Sequence, residues 1–514
     1  MTDPVTTRYH FYARVAGNTA YLAAAIGATS LGLFGIDVLL NRFLGDARAF
    51  GLITYVVGLI AIPLYLSDLG LSRALPAVLA SALARGDTRG ANRACGQALV
   101  LQVAATAVLA ALILAVSYHL PEAVRLVRGV FGLGSAGVLI PPYVAPWCRV
   151  LVVWMGAMSV VRLLSAVFDG YQKMGYSFAA AMLREPVRMV CVGVVLLVAS
   201  GLGAATLTGP AILALAFSSL LVLGLNGVLL RLFQRAHPDC RFRFERAGYG
   251  RMLHESLYFY LPLVGLWVFP ELVKVVAGTL DSPETVGEVT VCLRLSSLAF
   301  VVLGALPRAM LPAFSEKAHD PTVLRASFLG LVKYAGLVNL AAFIVMASAG
   351  PHLVRLIFGS AYPTEKIYGA MMLIALGSFF EIYRLVTEPV LQATGHARAA
   401  GVVEVVRLAV FLGLGVLLIP SWSRFGVVVA FVAGNGVAWV LRFVITHRRV
   451  VLVPWPALLV LAGLVSAAAV MALLRSAAGF WVLVAAAVVV QCLQFSRTEA
   501  DTLRRTLRAF LRRE

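Results

Sequence analysis

Glu185-x-x-Arg188 and Glu404-x-x-Arg407 each place an acid and a base three residues apart inside a long apolar run. At that spacing the two side chains share one helix face and can pair. Glu381, Arg384 and Glu388, in "FFEIYRLVTEP", are likewise spaced to share a face. Other ionisable residues sit within apolar runs: Asp37, Arg162, Arg184, Glu271, Lys274, Arg294 and Lys333. Lys274 lies three residues from Glu271 and could neutralise it. Arg294 has no carboxylate within a helical turn, so water or an anionic ligand is its expected partner. Arg42, Arg73 and Arg308 fall near the ends of apolar runs, where a long side chain reaches the interface.

Guanidinium groups suit phosphate, because their planar fork donates two parallel hydrogen bonds and stays charged. Arg162, Arg184, Arg188, Lys274, Arg294, Arg384 and Arg407 are therefore the expected lining of a cationic cavity. A multiply charged, elongated anion such as a polyprenyl pyrophosphate fits such a lining, its tail remaining in the bilayer. Glu381 and Glu388, with Asp37 and Glu271 behind them, are candidates for taking up a coupling proton or Na⁺. Glu185 and Glu404 are pairing acids, and their pairs serve equally well as braces or as ligand contacts.

The elements that carry these residues must be membrane helices. The chain has 514 residues, 61% hydrophobic and 13% charged, with a mean hydropathy of +0.91. A water-facing globule is roughly half apolar and a quarter charged. Fourteen spans are expected, at 17–41, 50–82, 90–118, 146–170, 178–201, 208–234, 253–279, 284–313, 324–349, 366–394, 398–419, 424–447, 454–474 and 477–495. The second is long and interrupted by "SDLGLS". An even number puts both termini on one side. Alternate loops hold most of the Lys and Arg, which makes that side cytoplasmic and the membrane the cytoplasmic (inner) one. The net charge of +19 is thus a topological signal, and no nucleic-acid partner is expected. The first run follows Arg8 and Arg14 and is too long for a cleaved signal peptide. Loops are short, and the longest outer one, 119–145, is apolar. The tail 497–514 reads as a basic amphipathic interfacial helix or as a frayed basic end.

Several chemistries lack their residues. Cys95, Cys148, Cys191, Cys240, Cys292 and Cys492 are scattered, with no CxxC pair. No HExxH, no Walker A loop and no dinucleotide fingerprint occurs, so neither a metal site, a cofactor nor ATP-driven pumping is expected.

The chain repeats itself. "FLGDARAFGLITYV" aligns with "TLDSPETVGEVTVC", bringing Leu44 onto Leu280 and Gly51 onto Gly287. "GYQKMGYSFAAAMLREPVR" aligns with "VLQATGHARAAGVVEVVR", bringing Gln172 onto Gln392 and the first charge pair onto the second. Asp37 and Glu271 are near-equivalents ahead of the two glycines. Parallel repeats of this kind belong to transporters whose two bundles rock about a central site. The expected organisation is all-α: an N-terminal lobe at 1–245, a C-terminal lobe at 246–450, two further helices at 451–496, and the tail.

The stretch from Asn41 to Ala80, "NRFLGDARAFGLITYVVGLIAIPLYLSDLGLSRALPAVLA", resembles the opening of Wzx-type polysaccharide flippases. "GTLDSPETVGEVTVCLRLSSLAFVVLGALPRAMLPAFSE" is similar to that family's seventh-to-eighth helix region, and "LIFGSAYPTEKIYGAMMLIALGSFFE" to its ninth-to-tenth connection. The resemblance implies the multidrug/oligosaccharidyl-lipid/polysaccharide (MOP) exporter superfamily, with two six-helix lobes and alternating access. It implies a polyprenyl-pyrophosphate-linked glycan as cargo, with membrane lipids and polysaccharide polymerase or assembly proteins as partners. The lipid II flippases of that superfamily carry an Arg-Asp pair on the first helix, matched here by Ile36-Asp37. Their eighth-helix arginine matches Arg294, while a second-helix basic pair falls near Pro63-Leu64 and is missing. That departure favours a Wzx-type cargo over lipid II. A cation or drug antiporter on the same fold is the rival reading. An integral-membrane glycosyltransferase or acyltransferase would need catalytic residues on an outer loop, and none appears, so no enzyme is expected.

Overall fold

The break in the second span sets the pattern for how these helices meet. Leu69 and Gly70 have left-handed backbones (φ 49° and 81°), which ends α2 (Ala47–Leu66) and starts α3 (Leu71–Ala84). The Asp68 carboxylate accepts from the Ser72 amide at 2.9 Å and steadies the new start. A Cβ at Gly70 would strike the Ser256 carbonyl, so glycine lets the break press against a neighbouring helix.

A computed structural model describes residues 4–130, 144–204, 206–245, 248–303, 314, 321–362, 364–450, 453 and 455–494. Around α2 and α3 stand α1 (Pro4–Leu44), α4 (Thr88–Tyr118), α5 (Leu120–Val130), α6 (Val144–Gly170), α7 (Met174–Gly201) and α8 (Thr208–Ala236). The second half has α9 (Tyr249–Leu280), α10 (Pro283–Leu303), α11 (Pro321–Phe358), α12 (Thr364–Ile382), α13 (Arg384–Ala393), α14 (Ala397–Trp422) and α15 (Arg424–Arg449). A hairpin of α16 (Trp455–Leu473) and α17 (Ala477–Leu493) follows. There is no strand among the described residues. Among the described residues, eleven helical segments are long and apolar enough to cross a membrane, α2–α3 and α12–α13 each counting as one. Three further helices complete the fourteen spans: α7 and α10, each with three ionised residues, and α17, with 17 residues.

Two expectations change. The apolar outer loop contains α5, whose Leu120 and Val124 are buried while Glu122, Arg125 and Leu126 are exposed. The tenth span is not one helix: it breaks at Tyr383 into α12 and α13. The expected tail helix at 497–514, Arg308 and the far end of the eighth span lie outside the described residues.

Each half is built the same way. α1 packs on α7 where Gly32 admits the Glu185 side chain, and α9 packs on α14 where Gly265 admits Glu404. A Cβ at either glycine would collide with the glutamate. The repeat read from the charge pairs is thus also a repeat of packing. The linker between halves is held to the first: Asn92 donates to the Asp239 carbonyl (2.7 Å) and accepts from the amides of Arg241 and Arg243 (2.8 and 3.0 Å). The terminal hairpin lies against α11 and α12, and Gln491 donates to the Lys333 carbonyl.

The two halves touch through α2, which runs along both α9 and α10. A Cβ on Gly51 would hit the Pro283 carbonyl, and one on Gly287 would hit the Ala47 carbonyl. These are equivalent positions in the two halves, so the crossing lies on the pseudo-twofold axis. Polar contacts surround it: Asn41 donates to the Tyr362 hydroxyl (2.5 Å), and Arg42 donates to the Ile357 carbonyl (2.8 Å) and to that of Leu356. Arg42 thereby caps the carbonyl end of α11 from the opposite half.

Replacing Gly287 with leucine must push the α2–α10 crossing apart, at about 1–3 kcal/mol. Thermal unfolding in detergent should show a lower melting temperature for Gly287→Leu but not for Gly413→Leu, where nothing lies within 4 Å. Equal melting of the two variants would refute the tight crossing.

Candidate functional site

The charged residues form two groups of different character. The first lies in the N-terminal half and along its boundary with the second. Arg294 of α10 donates to the Asp37 carboxylate of α1, a partner 257 residues away. This corrects the expectation of an unpaired Arg294: intrahelical spacing does not register a base supplied from one half to an acid of the other. Its side chain remains 25% exposed. Around it, Glu185 pairs with Arg188 (2.7 Å) and Arg184 (3.4 Å), and Arg184 also donates to Thr29 (3.0 Å). Lys274 donates to Glu271 (2.7 Å), as their spacing predicts.

Arg162 differs from these. Its guanidinium lies 4.4 Å over the Tyr65 ring and 5.3 Å over the Trp267 ring, and those rings stack at 5.6 Å and 21°. It makes no ion pair among the described residues, and its buried Nη1 has no hydrogen-bond partner. Tyr65 carries Arg162 over its ring and lies near Glu271, Arg294 and Glu185, so it touches both parts of the group. Five bases (Arg162, Arg184, Arg188, Lys274, Arg294) face three acids (Asp37, Glu185, Glu271), which leaves an excess of positive charge.

The symmetry of the halves fails at one position here. Arg294 lies seven residues after Gly287, and seven after Gly51 stands Gly58. Asp37 receives Arg294, whereas its counterpart Glu271 lies over Gly58 and takes Lys274 from its own helix.

The second group fills the interior of the C-terminal half. Arg384 bridges Glu381 (2.6 Å) and Glu388 (3.0 Å) across the Tyr383 break. Arg407 binds Glu404 (2.7 Å), Glu381, the Gly265 carbonyl and Asn435 (3.3 Å), and lies 4.1 Å over Phe269. Arg442 of α15 closes the ring by donating to Glu404. Three bases meet three acids, so this group is neutral. Arg442 escaped sequence reading because it resembles the flank of the basic end "THRR". The face it shares with Asn435, Trp439 and Thr446, all buried, was the available signal.

The coupling candidates are therefore all engaged. Glu381 has two close arginines, Glu388 has Arg384, Asp37 has Arg294 and Glu271 has Lys274. A proton or Na⁺ reaching any of them must compete with a fixed cation.

Residues 142–365 match the family described as "Polysaccharide biosynthesis protein". No curated protein matches the chain. Among solved structures, an inward-facing multidrug resistance MATE transporter of the MOP superfamily is similar at TM-score 0.66 and 14% identity, covering 82% of this chain and 94% of that one. An outward-facing MATE transporter of the MOP superfamily is similar at TM-score 0.60 and 15% identity, covering 85% and 95%. A MOP transporter from Pyrococcus furiosus, whose binding pocket is described as of reversed polarity with a suggested different function, is similar at 0.59 and 15%, covering 85% and 95%. The chain has the fold of these polytopic membrane transporters. The likeness to solved structures is one of fold, and the match to the polysaccharide biosynthesis family covers residues 142–365.

Removing Arg442 leaves Glu404 partly uncompensated in a buried setting, at about 3–5 kcal/mol. Arg442→Ala should lose most folded monomer on size-exclusion chromatography, while Arg294→Ala should keep it; equal yields would show that the ring does not brace the fold. Cysteines at Asn41 and Tyr362, in a background without Cys191 and Cys492, should be joined across the halves by a short bifunctional methanethiosulfonate reagent, and transport should stop until the link is reduced. Transport that continues in the cross-linked protein would show that the halves need not part there.

Proposed function

We propose that this chain is a flippase that moves a polyprenyl-pyrophosphate-linked oligosaccharide across the cytoplasmic membrane by alternating access, for surface polysaccharide synthesis. The observation that carries this reading is the positive excess of the first group, in which Arg294 crosses between the halves. A pocket for cationic drugs would repel its cargo with that balance. A pyrophosphate can instead replace the Asp37 carboxylate at Arg294, exchanging one anion for another without leaving the guanidinium bare. The family match to polysaccharide biosynthesis proteins supports the same cargo class.

With both termini cytoplasmic, the α1–α2 and α9–α10 turns face outward, and the contacts of Gly51, Gly287, Asn41 and Arg42 close the outer side. A carrier closed on that side would take its cargo from the cytoplasmic side, where the lipid-linked glycan is made. The greater likeness to the inward-facing transporter than to the outward-facing one agrees with this. Turnover coupled to H⁺ or Na⁺ would act through Asp37, whose release from Arg294 is what the exchange of anions requires. A glycan polymerase or assembly protein would receive the cargo outside.

Cells lacking the protein should accumulate completed polyprenyl-pyrophosphate oligosaccharide and lose its outer-leaflet labelling, measured by extraction, mass spectrometry and surface labelling. Arg294→Ala should reproduce the deletion with the protein still folded, and Arg294→Lys should restore part of the export because an ammonium lacks the fork. An unchanged lipid pool, with new sensitivity to cationic dyes, would overturn the flippase reading in favour of an antiporter.

A further inference from the structure

Four of the five bases of the first group already hold a carboxylate; Arg162 holds none among the described residues. Its surroundings explain how an uncompensated cation persists there. The guanidinium lies nearest the Tyr65 ring, with Trp267, itself stacked on Tyr65, alongside, and a ring's negative face attracts a cation without occupying its N–H groups. Ring faces satisfy the flat side of a guanidinium but not its edge, where the N–H groups point. Stacking therefore leaves the donor edge free, and Nη1 is such a donor, buried and unused.

The two rings come from different halves: Tyr65 from α2, Trp267 from α9. Arg162 belongs to α6, in the same half as Tyr65. The stack is thus complete only while the halves hold the present arrangement.

We propose that Arg162, held against the Tyr65–Trp267 stack, is a state-dependent contact for the phosphate oxygens of the cargo. The proposal rests on the flippase reading and adds to it a residue whose grip depends on conformation. With Trp267 in place, the guanidinium is held flat and presents its edge to a phosphate beside Arg294. When the halves move apart at this level, Trp267 withdraws, the guanidinium loses its orientation, and affinity for the anion falls. A ligand shifts a conformational equilibrium only through such a difference in affinity. The same difference favours binding on one side and release on the other. Arg188 is a poor candidate for this part, since Glu185 already occupies it and both are buried.

The test is titration calorimetry of the purified full chain in detergent with inorganic pyrophosphate and with farnesyl pyrophosphate. Loss of one charge-assisted hydrogen bond should weaken binding about 10- to 100-fold in Arg162→Gln. Arg162→Lys should fall between that variant and wild type. Trp267→Phe should bind as wild type, because a ring remains, and Trp267→Ala should bind as weakly as Arg162→Gln. Melting temperatures of the variants near that of wild type separate lost contact from lost fold; if Arg162→Gln melts low, the Trp267→Phe and Trp267→Ala pair decides. Tighter binding of farnesyl than of inorganic pyrophosphate assigns the anion to a lipid, and equal binding assigns the site to the phosphates alone; both support the contact. If Arg294→Ala loses affinity while Arg162→Gln and Trp267→Ala keep it, the flippase reading stands and this proposal falls. If wild type binds neither pyrophosphate, both fall.

Discussion

A charge inside a membrane protein must be matched, and in this chain the matching organises the fold. Glu185 and Glu404 are each brought to the start of their half by a glycine on its first helix, Gly32 or Gly265. The carboxylate that enters there needs a cation at once, and Arg188 or Arg407 supplies it from one turn further along. The helix pairs α1–α7 and α9–α14 are therefore set by a small residue, an acid and a base acting together.

From this common plan the halves diverge. In the C-terminal half, Arg384, Arg407 and Arg442 close upon Glu381, Glu388 and Glu404, and the charges cancel within a buried ring. Such a ring serves rigidity, because any member removed exposes the rest. In the first group the balance is left open, with Arg162 stacked on rings instead of paired. One lobe is a stiff body and the interface is the reactive surface, a division suited to a machine whose parts move as units.

Much of this was legible in the sequence because it is local. Span positions, the break at "SDLGLS" and the two Glu-x-x-Arg pairs all follow from periodicity within one helix, as does the pairing of Lys274 with Glu271. What was not legible is long-range. Arg294 looked bare because Asp37 lies 257 residues away, and Arg442 looked like the edge of a basic loop. Arg162 looked like any other cavity arginine, since nothing in its neighbourhood in sequence names the aromatic rings that hold it. The equivalence of Gly51 and Gly287 was visible, but the contact between them was not.

The mismatch of Arg294 and Gly58 has a consequence for how a cargo is read. Two identical halves would make a cavity with twofold degeneracy, in which a molecule could lie equally well in either of two opposed orientations. A molecule with one charged head, one greasy tail and one sugar chain has a direction, and a degenerate cavity would waste half its encounters. Placing the arginine in only one of two equivalent positions lifts the degeneracy. On the proposed flippase reading, the head would be drawn to one side of the axis, and its other parts would thereby be assigned their places. The duplication would supply the frame, and a single departure from it would give that frame a heading.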